Sequence, residues 1–123
     1  VVHGGFVGLV ENGNFAMVNC LFDGKILGST TNSCGGFVGW HSAPISIENS
    51  VFAPAEITVS PSGSATFSRN GLNPVNCYYT QTLGDVQGIA IGDMSNDDLL
   101  AALGSAWQIV DDKVVPCMSK NNL

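Results

Sequence analysis

Apolar residues along this chain come in short clusters, each closed by glycine, asparagine, serine or aspartate. Phe6-Val7 is flanked by glycines, Phe15 to Phe22 follows Asn12-Gly13-Asn14, and Lys25-Ile26-Leu27 follows Asp23-Gly24. Further on, Ile45, Ile47 and Asn49 alternate with Ser46 and Glu48, the period of a strand with one buried face. Clusters of this length bounded by turn residues predict short β-strands. None approaches the roughly 18 consecutive apolar residues of a membrane-crossing helix.

The clusters repeat. Gly4-Gly5-Phe6-Val7-Gly8 returns as Gly35-Gly36-Phe37-Val38-Gly39, a spacing of 31. Asn19-Cys20-Leu21-Phe22 returns as Asn49-Ser50-Val51-Phe52 and again as Asn76-Cys77-Tyr78-Tyr79, spacings of 30 and 27. A third glycine motif is expected as a worn remnant at Phe67-Ser68-Arg69-Asn70-Gly71. A propeller needs at least four blades, more than 80 residues supply at this spacing. Stacking of equivalent segments about 4.8 Å apart fits better, with Asn19, Asn49 and Asn76 as a structural ladder on consecutive layers. Asparagine also tolerates the left-handed backbone of a sharp corner. The expected fold is all-β, a solenoid of about three coils over 1–80 (1–30, 31–60 and 61–80), with 81–123 as a C-terminal cap. Ile57 to Phe67, turning at Pro61-Ser62-Gly63, reads as a longer corner or an inserted hairpin.

GGFVG followed by Val-Asn-Cys-Leu-Phe resembles the GLUG-type glycine-rich repeats of large bacterial cell-surface and secreted proteins. Asn76-Cys77-Tyr78-Tyr79 and the stretch from Leu103-Gly104 to Trp107 resemble the way such arrays finish. The resemblance implies a right-handed parallel β-helix, exposure at the cell surface, and adhesion or glycan contact as part of a longer array. It carries no catalytic residues. Val1 is not an initiator Met, and the chain reads as excised from something longer, with any export signal upstream.

After Tyr79 the repeat stops. Residues 81 to 123 hold six acids against two lysines. Ser95-Asn96-Asp97-Asp98 opens a helix expected near 95–104, with Ser95 as N-cap and acids at the positive end of the dipole. Leu99, Leu100 and Leu103 give its apolar face, Met94 a staple, and Gly104 its end. Trp107-Gln108-Ile109-Val110, Asp111-Asp112 and Lys113-Val114-Val115-Pro116 read as a hairpin. Helix and hairpin are expected to cover the open end of the stack, burying against Val75, Tyr78 and Tyr79.

Charge narrows the functions further. Charged residues make up 11% of the chain, against about 25% in an average domain. Net charge is −6, and Lys25, Arg69, Lys113 and Lys120 form no basic footprint, so nucleic acid is not an expected partner. Cys20 and Cys77 hold equivalent places with Ser50 between them, so they stand two layers apart, roughly 9 to 10 Å, beyond the roughly 7 Å a disulfide spans. Small buried thiols are the expected state, with a bond involving Cys34 or Cys117, or a metal, as alternatives. His3 and Cys34 both precede a glycine pair and His41 lies near, but zinc would want a fourth ligand, and no metal or cofactor is expected. The acids near Asp93–Asp98 and Asp111-Asp112 lack calcium-loop spacing.

Glu48 and Glu56 are the acids of the middle repeat, where a polysaccharide-cleaving β-helix would carry a carboxylate pair. Short loops leave no walled cleft, so no catalytic residue is expected and the chain is not expected to be an enzyme. Trp40 is the aromatic least committed to the repeat, and Trp40, His41 and Glu48 are the candidate ligand contacts. The reading is a non-catalytic, surface-exposed structural or adhesive domain, extracellular or on the bacterial surface. Its expected partners are a host or cell-wall glycan or protein and upstream repeats of the same polypeptide, without membrane insertion. A carbohydrate-binding module is the first alternative and a fragment of a polysaccharide-cleaving enzyme the second.

Overall fold

A computed structural model describes residues 3–117 of the chain; Val1, Val2 and the outer end of the expected cap, 118–123, lie outside the described residues. It consists mostly of short strands with one helix. The first repeat holds β1 (His3–Gly4), β2 (Val7–Val10), β3 (Phe15–Val18), β4 (Leu21–Phe22) and β5 (Lys25–Ile26). The second holds β6 (Cys34–Gly35), β7 (Val38–His41), β8 (Ile45–Glu48), β9 (Val51–Phe52) and β10 (Glu56–Ile57). Each strand of the first repeat pairs in parallel with its counterpart in the second, in chain order, with His3 opposite Cys34, Val7 opposite Val38, Phe15 opposite Ile45, Leu21 opposite Val51 and Lys25 opposite Glu56. The offset alternates between 31 and 30 because Glu11–Asn14 is one residue longer than Ser42–Pro44, and Asp23–Gly24 one shorter than Ala53–Ala55.

A third tier is less regular. β11 (Tyr78–Tyr79) pairs in parallel with β9, and β12 (Ile89–Ala90) with β11. Elsewhere single bridges hold the tier, Gly35 to Ala65, Val38 to Ser68 and Glu48 to Val75. The counterpart of the glycine motif is therefore Ala65-Thr66-Phe67-Ser68-Arg69, starting two residues before the remnant expected from Phe67. Phe67 alone preserved the signal, because the side chains replacing glycine carry no resemblance to it.

The corners follow from side-chain chemistry. Asn19, Asn49 and Asn76 have φ of 58, 51 and 50°, the left-handed region that asparagine tolerates. Asn49 Nδ2 donates to Asn19 Oδ1 at 2.6 Å, and Asn76 Nδ2 donates to Asn49 Oδ1 at 2.7 Å. The next residue is small and donates back across the corner: Cys20 Sγ to the Val18 carbonyl, Ser50 Oγ to that of Glu48, Cys77 Sγ to that of Val75. At the glycine pairs the chain bends so tightly that a Cβ on Gly35 would strike the Val38 carbonyl and one on Gly36 the Thr66 carbonyl.

Aromatic columns fill the interior. Phe6, Phe37 and Phe67 follow one another with ring centroids 5.0 and 4.9 Å apart, and Phe22 stacks on Phe52 at 5.8 Å. Phe37, Phe52 and Phe67 are fully buried. All four cysteines are free.

The C-terminal segment departs from expectation in where it docks. Helix α1 (Asn96–Leu103) has Ser95 as its N-cap, whose Oγ accepts from Asp98 N, and Gly104 at its end, with φ 89°. β13 (Trp107–Val110) and β14 (Lys113–Pro116) form an antiparallel hairpin whose turn residues Asp111 and Asp112 both have positive φ. Leu99, Leu103 and Trp107 pack on Val51, Tyr78 and Leu21, the outward side of β4, β9 and β11. The helix thus covers the flank of three tiers, while Val75 stays 60% exposed and Tyr79 packs inward with the aromatic columns. What closes the C-terminal end is the stretch before it. Leu83 is 2% exposed there, and Gln87 acts in place of a strand, accepting from Phe67 N and Ser68 N and donating to the Ser68 carbonyl. Leu21, Val51 and Tyr78 form an outward apolar strip that the helix must cover, since eight residues have too little helical stability to stand alone.

Candidate functional site

Trp40, His41 and Glu48 are not gathered into one site. Trp40 faces outward with the Arg69 guanidinium 5.0 Å above its ring. His41, the next residue along β7, is buried, its Nδ1 2.8 Å from Ser68 Oγ. Ser68 takes the place that valine holds in the other repeats, so the histidine meets a polar partner that the glycine motif alone does not disclose. Glu48 is exposed on β8, in line with Val18 and Val75 of the neighbouring tiers.

Around Trp40 lies a shallow hollow of about 130 Å³, lined also by Arg69, Asn70, Asp85 and Gln87. Most of its polar groups are already engaged. Arg69 donates to the Ser33 carbonyl, Asn70 to that of His41, and both ends of Gln87 are taken by residues 67 and 68. Asp85 and the free edge of Trp40 are what this hollow offers a ligand.

A roomier cleft, about 410 Å³, runs between the stack's flank and the C-terminal segment. Its floor is built tier by tier: Leu21 beside Val51, then Asp23, Ala53, Thr80 and Ile91 in one column. The column is continuous because Ala53 N donates to Phe22 O, Thr80 N to Phe52 O and Ile91 N to Tyr79 O. Four tiers span roughly 14 Å. Leu99 of the helix and Val114 and Val115 of the hairpin make the opposite wall, with Asn96, Asp112 and Lys113 at the rim. Asn96 is held there, donating to the Asp112 carbonyl at 2.9 Å. Its volume lies within the range of small-ligand pockets. No motif announced this cleft, although Ala53 and Ala55, small residues on an otherwise bulky flank, mark where room is left.

The acids and thiols lie outside any such grouping. Glu56 is 3.7 Å from Lys25 Nζ, both side chains half exposed. Among the described residues no three His, Cys, Asp or Glu side chains approach closely enough to hold a metal ion. Burial pushes the Cys77 thiol up to about 11, and burial raises Cys20 and Cys34 in the same direction, so these sulfurs stay protonated and poorly nucleophilic. No protein-family model, curated protein or solved structure matches the chain.

Proposed function

We propose that the chain is a non-catalytic interaction module, a right-handed parallel β-helix of glycine-rich repeats of the GLUG type, displayed outside a bacterial cell. The observation that carries this reading is the parallel pairing of five successive strands with their counterparts 30 or 31 residues on, together with the asparagine ladder. A framework that spends its residues on stacking offers its flanks for recognition. On this reading the cleft of Leu21, Ala53, Leu99 and Val114 is the ligand face, and its apolar floor and polar rim suit an aliphatic side chain of a protein partner. The hollow beside Trp40, with Asp85 at its edge, supports carbohydrate binding as the second reading. Glu48 has valines, Val18 and Val75, before and after it in the stack, so its own column supplies no partner carboxylate of the kind glycoside cleavage needs.

The test is an NMR titration of isotope-labelled protein with short aliphatic peptides and with cell-wall oligosaccharides. Shifts at Ala53, Leu99 and Val114 that vanish in Ala53→Trp are expected. Shifts centred on Trp40 and Arg69 would favour the carbohydrate reading, and polysaccharide cleavage lost in Glu48→Gln would overturn the non-catalytic assignment.

A further inference from the structure

The two ends of the stack differ in how their hydrogen bonds finish. Along β4, β9, β11 and β12 the corner amides donate toward the tier before, while at the glycine and asparagine corners the earlier tier donates forward. Val51 N bonds to Cys20 O and Ala53 N to Phe22 O; Tyr78 N bonds to Ser50 O and Thr80 N to Phe52 O; Ile89 N and Ile91 N bond to Cys77 O and Tyr79 O. The asparagine ladder runs the same way, every Nδ2 pointing to the preceding Oδ1. At its C-terminal end it is closed, because Tyr78 Oη donates to Asn76 Oδ1 at 2.7 Å. At its first member it is open: among the described residues Asn19 Nδ2, Leu21 N and Asp23 N donate to nothing. Acceptors repeat the pattern. The Phe37, Phe67, Glu48 and Val75 carbonyls accept from the tier before, whereas those of Phe6 and Val18 have no backbone donor among the described residues. Phe6, at the head of its aromatic column, is 45% exposed.

We propose that this end is an interface for one further tier of the same pattern, entering in parallel from the amino-terminal side of the same polypeptide; the inference rests on the β-helix reading above. Its occupant is defined by what the edge lacks. It presents a side-chain carbonyl opposite Asn19 Nδ2, backbone carbonyls opposite the Leu21 and Asp23 amides, N–H groups opposite the Phe6 and Val18 carbonyls, and an aromatic ring over Phe6. A segment with Gly-Gly-aromatic followed by Asn-small-apolar-aromatic, 30 or 31 residues ahead, meets every one of these demands. A second copy stacking head to tail does not, because residues 83 to 91 occupy its C-terminal end.

The experiment inserts a second copy of residues 3–33 between Val2 and His3 of the full chain, which keeps the spacing of 31. Hydrogen exchange read residue by residue should show the inserted segment protected, and the Leu21 and Asp23 amides slowed at least about tenfold relative to the parent. The extended protein should also melt higher. Asn19→Asp keeps the acceptor for Asn49 and the tolerance of positive φ but removes the donor, and should erase most of that gain while changing the parent little. An inserted segment that exchanges like unfolded chain, beside protected Val51 and Tyr78 amides, overturns the interface and leaves the β-helix reading intact. Unprotected Val51 and Tyr78 amides in the parent overturn both. A parent that dimerises through this end, with Leu21 and Asp23 already protected, assigns the edge to a second copy and overturns the proposal.

Discussion

The first and second repeats are joined by five strand pairs, the second and third by one strand pair, a few bridges and a set of side chains. In the first junction the loop lengths match to within one residue and the backbone does most of the bonding. In the second, the spacing falls from 30 to 27 and side chains supplement the backbone: Asn70 reaches the His41 carbonyl, Arg69 reaches that of Ser33, and His41 meets Ser68, while beyond the third tier Gln87 serves residues 67 and 68. Regular junctions tolerate surface change and irregular ones depend on individual residues. The order of burial is reversed, since the regular junction lies toward the exposed end and the irregular one toward the closed end.

The largest effect is expected in the columns both junctions share. Phe52→Ala removes a fully buried ring between Phe22 and the third tier and should cost about 3–5 kcal/mol, whereas Phe6→Ala at the open end should cost about 1 kcal/mol. Denaturant midpoints decide it, and equal losses would mean that the two ends are equally packed. Next comes the ladder. Asn49→Ala loses side-chain bonds to Asn19, Asn76 and the Leu103 carbonyl and puts a Cβ without compensation at φ 51°, about 2–4 kcal/mol in all. Asn49→Gly should recover about 1 kcal/mol of this by relieving the backbone; no recovery would assign the whole loss to the bonds.

Gln87→Leu tests the closing layer that caps the irregular third tier. It should cost about 1–3 kcal/mol and speed exchange at the Phe67 and Ser68 amides without touching the Gly5 and Phe6 amides. Uniform acceleration would show that the two ends of the stack unfold as one. A smaller, pH-dependent effect is expected at Cys77. Its thiol is raised from 9.0 to about 11, so the folded state favours the protonated form; that stability is full below pH 9 and drains away as pH rises toward 11. Melting temperature should fall over that window and fall less in Cys77→Ser, which copies Ser50 of the same column. A fall identical in the variant would place the titration elsewhere. The smallest effect belongs to the Lys25–Glu56 pair, where Glu56→Gln should cost less than about 0.5 kcal/mol because both groups are solvated.

What the sequence determined by itself is local or repeated. Asparagine before a small and then an apolar residue, at 19, 49 and 76, specifies a left-handed corner, and three occurrences at near-equal spacing specify which corners lie above one another. Ser95, Asp98 and Gly104 bound a helix by chain-neighbour hydrogen bonds, and Asp111-Asp112 sets a hairpin turn by backbone preference, so each was legible without knowing its surroundings. The docking of that helix was not, because Leu99 and Leu103 specify an apolar partner without naming one, and both the flank strip of Leu21, Val51 and Tyr78 and the end of the stack met the description. Helix carbonyls settled it: those of Ala102 and Leu103 accept from Asn76 and Asn49, whose amide hydrogens point out of the corner toward the flank. The tertiary structure likewise decided that Gln87 closes the end, that Ser68 and His41 pair inside it, and that a cleft opens over Ala53. Each of these joins residues with no shared period or motif, and only the packed chain brings them within reach of one another.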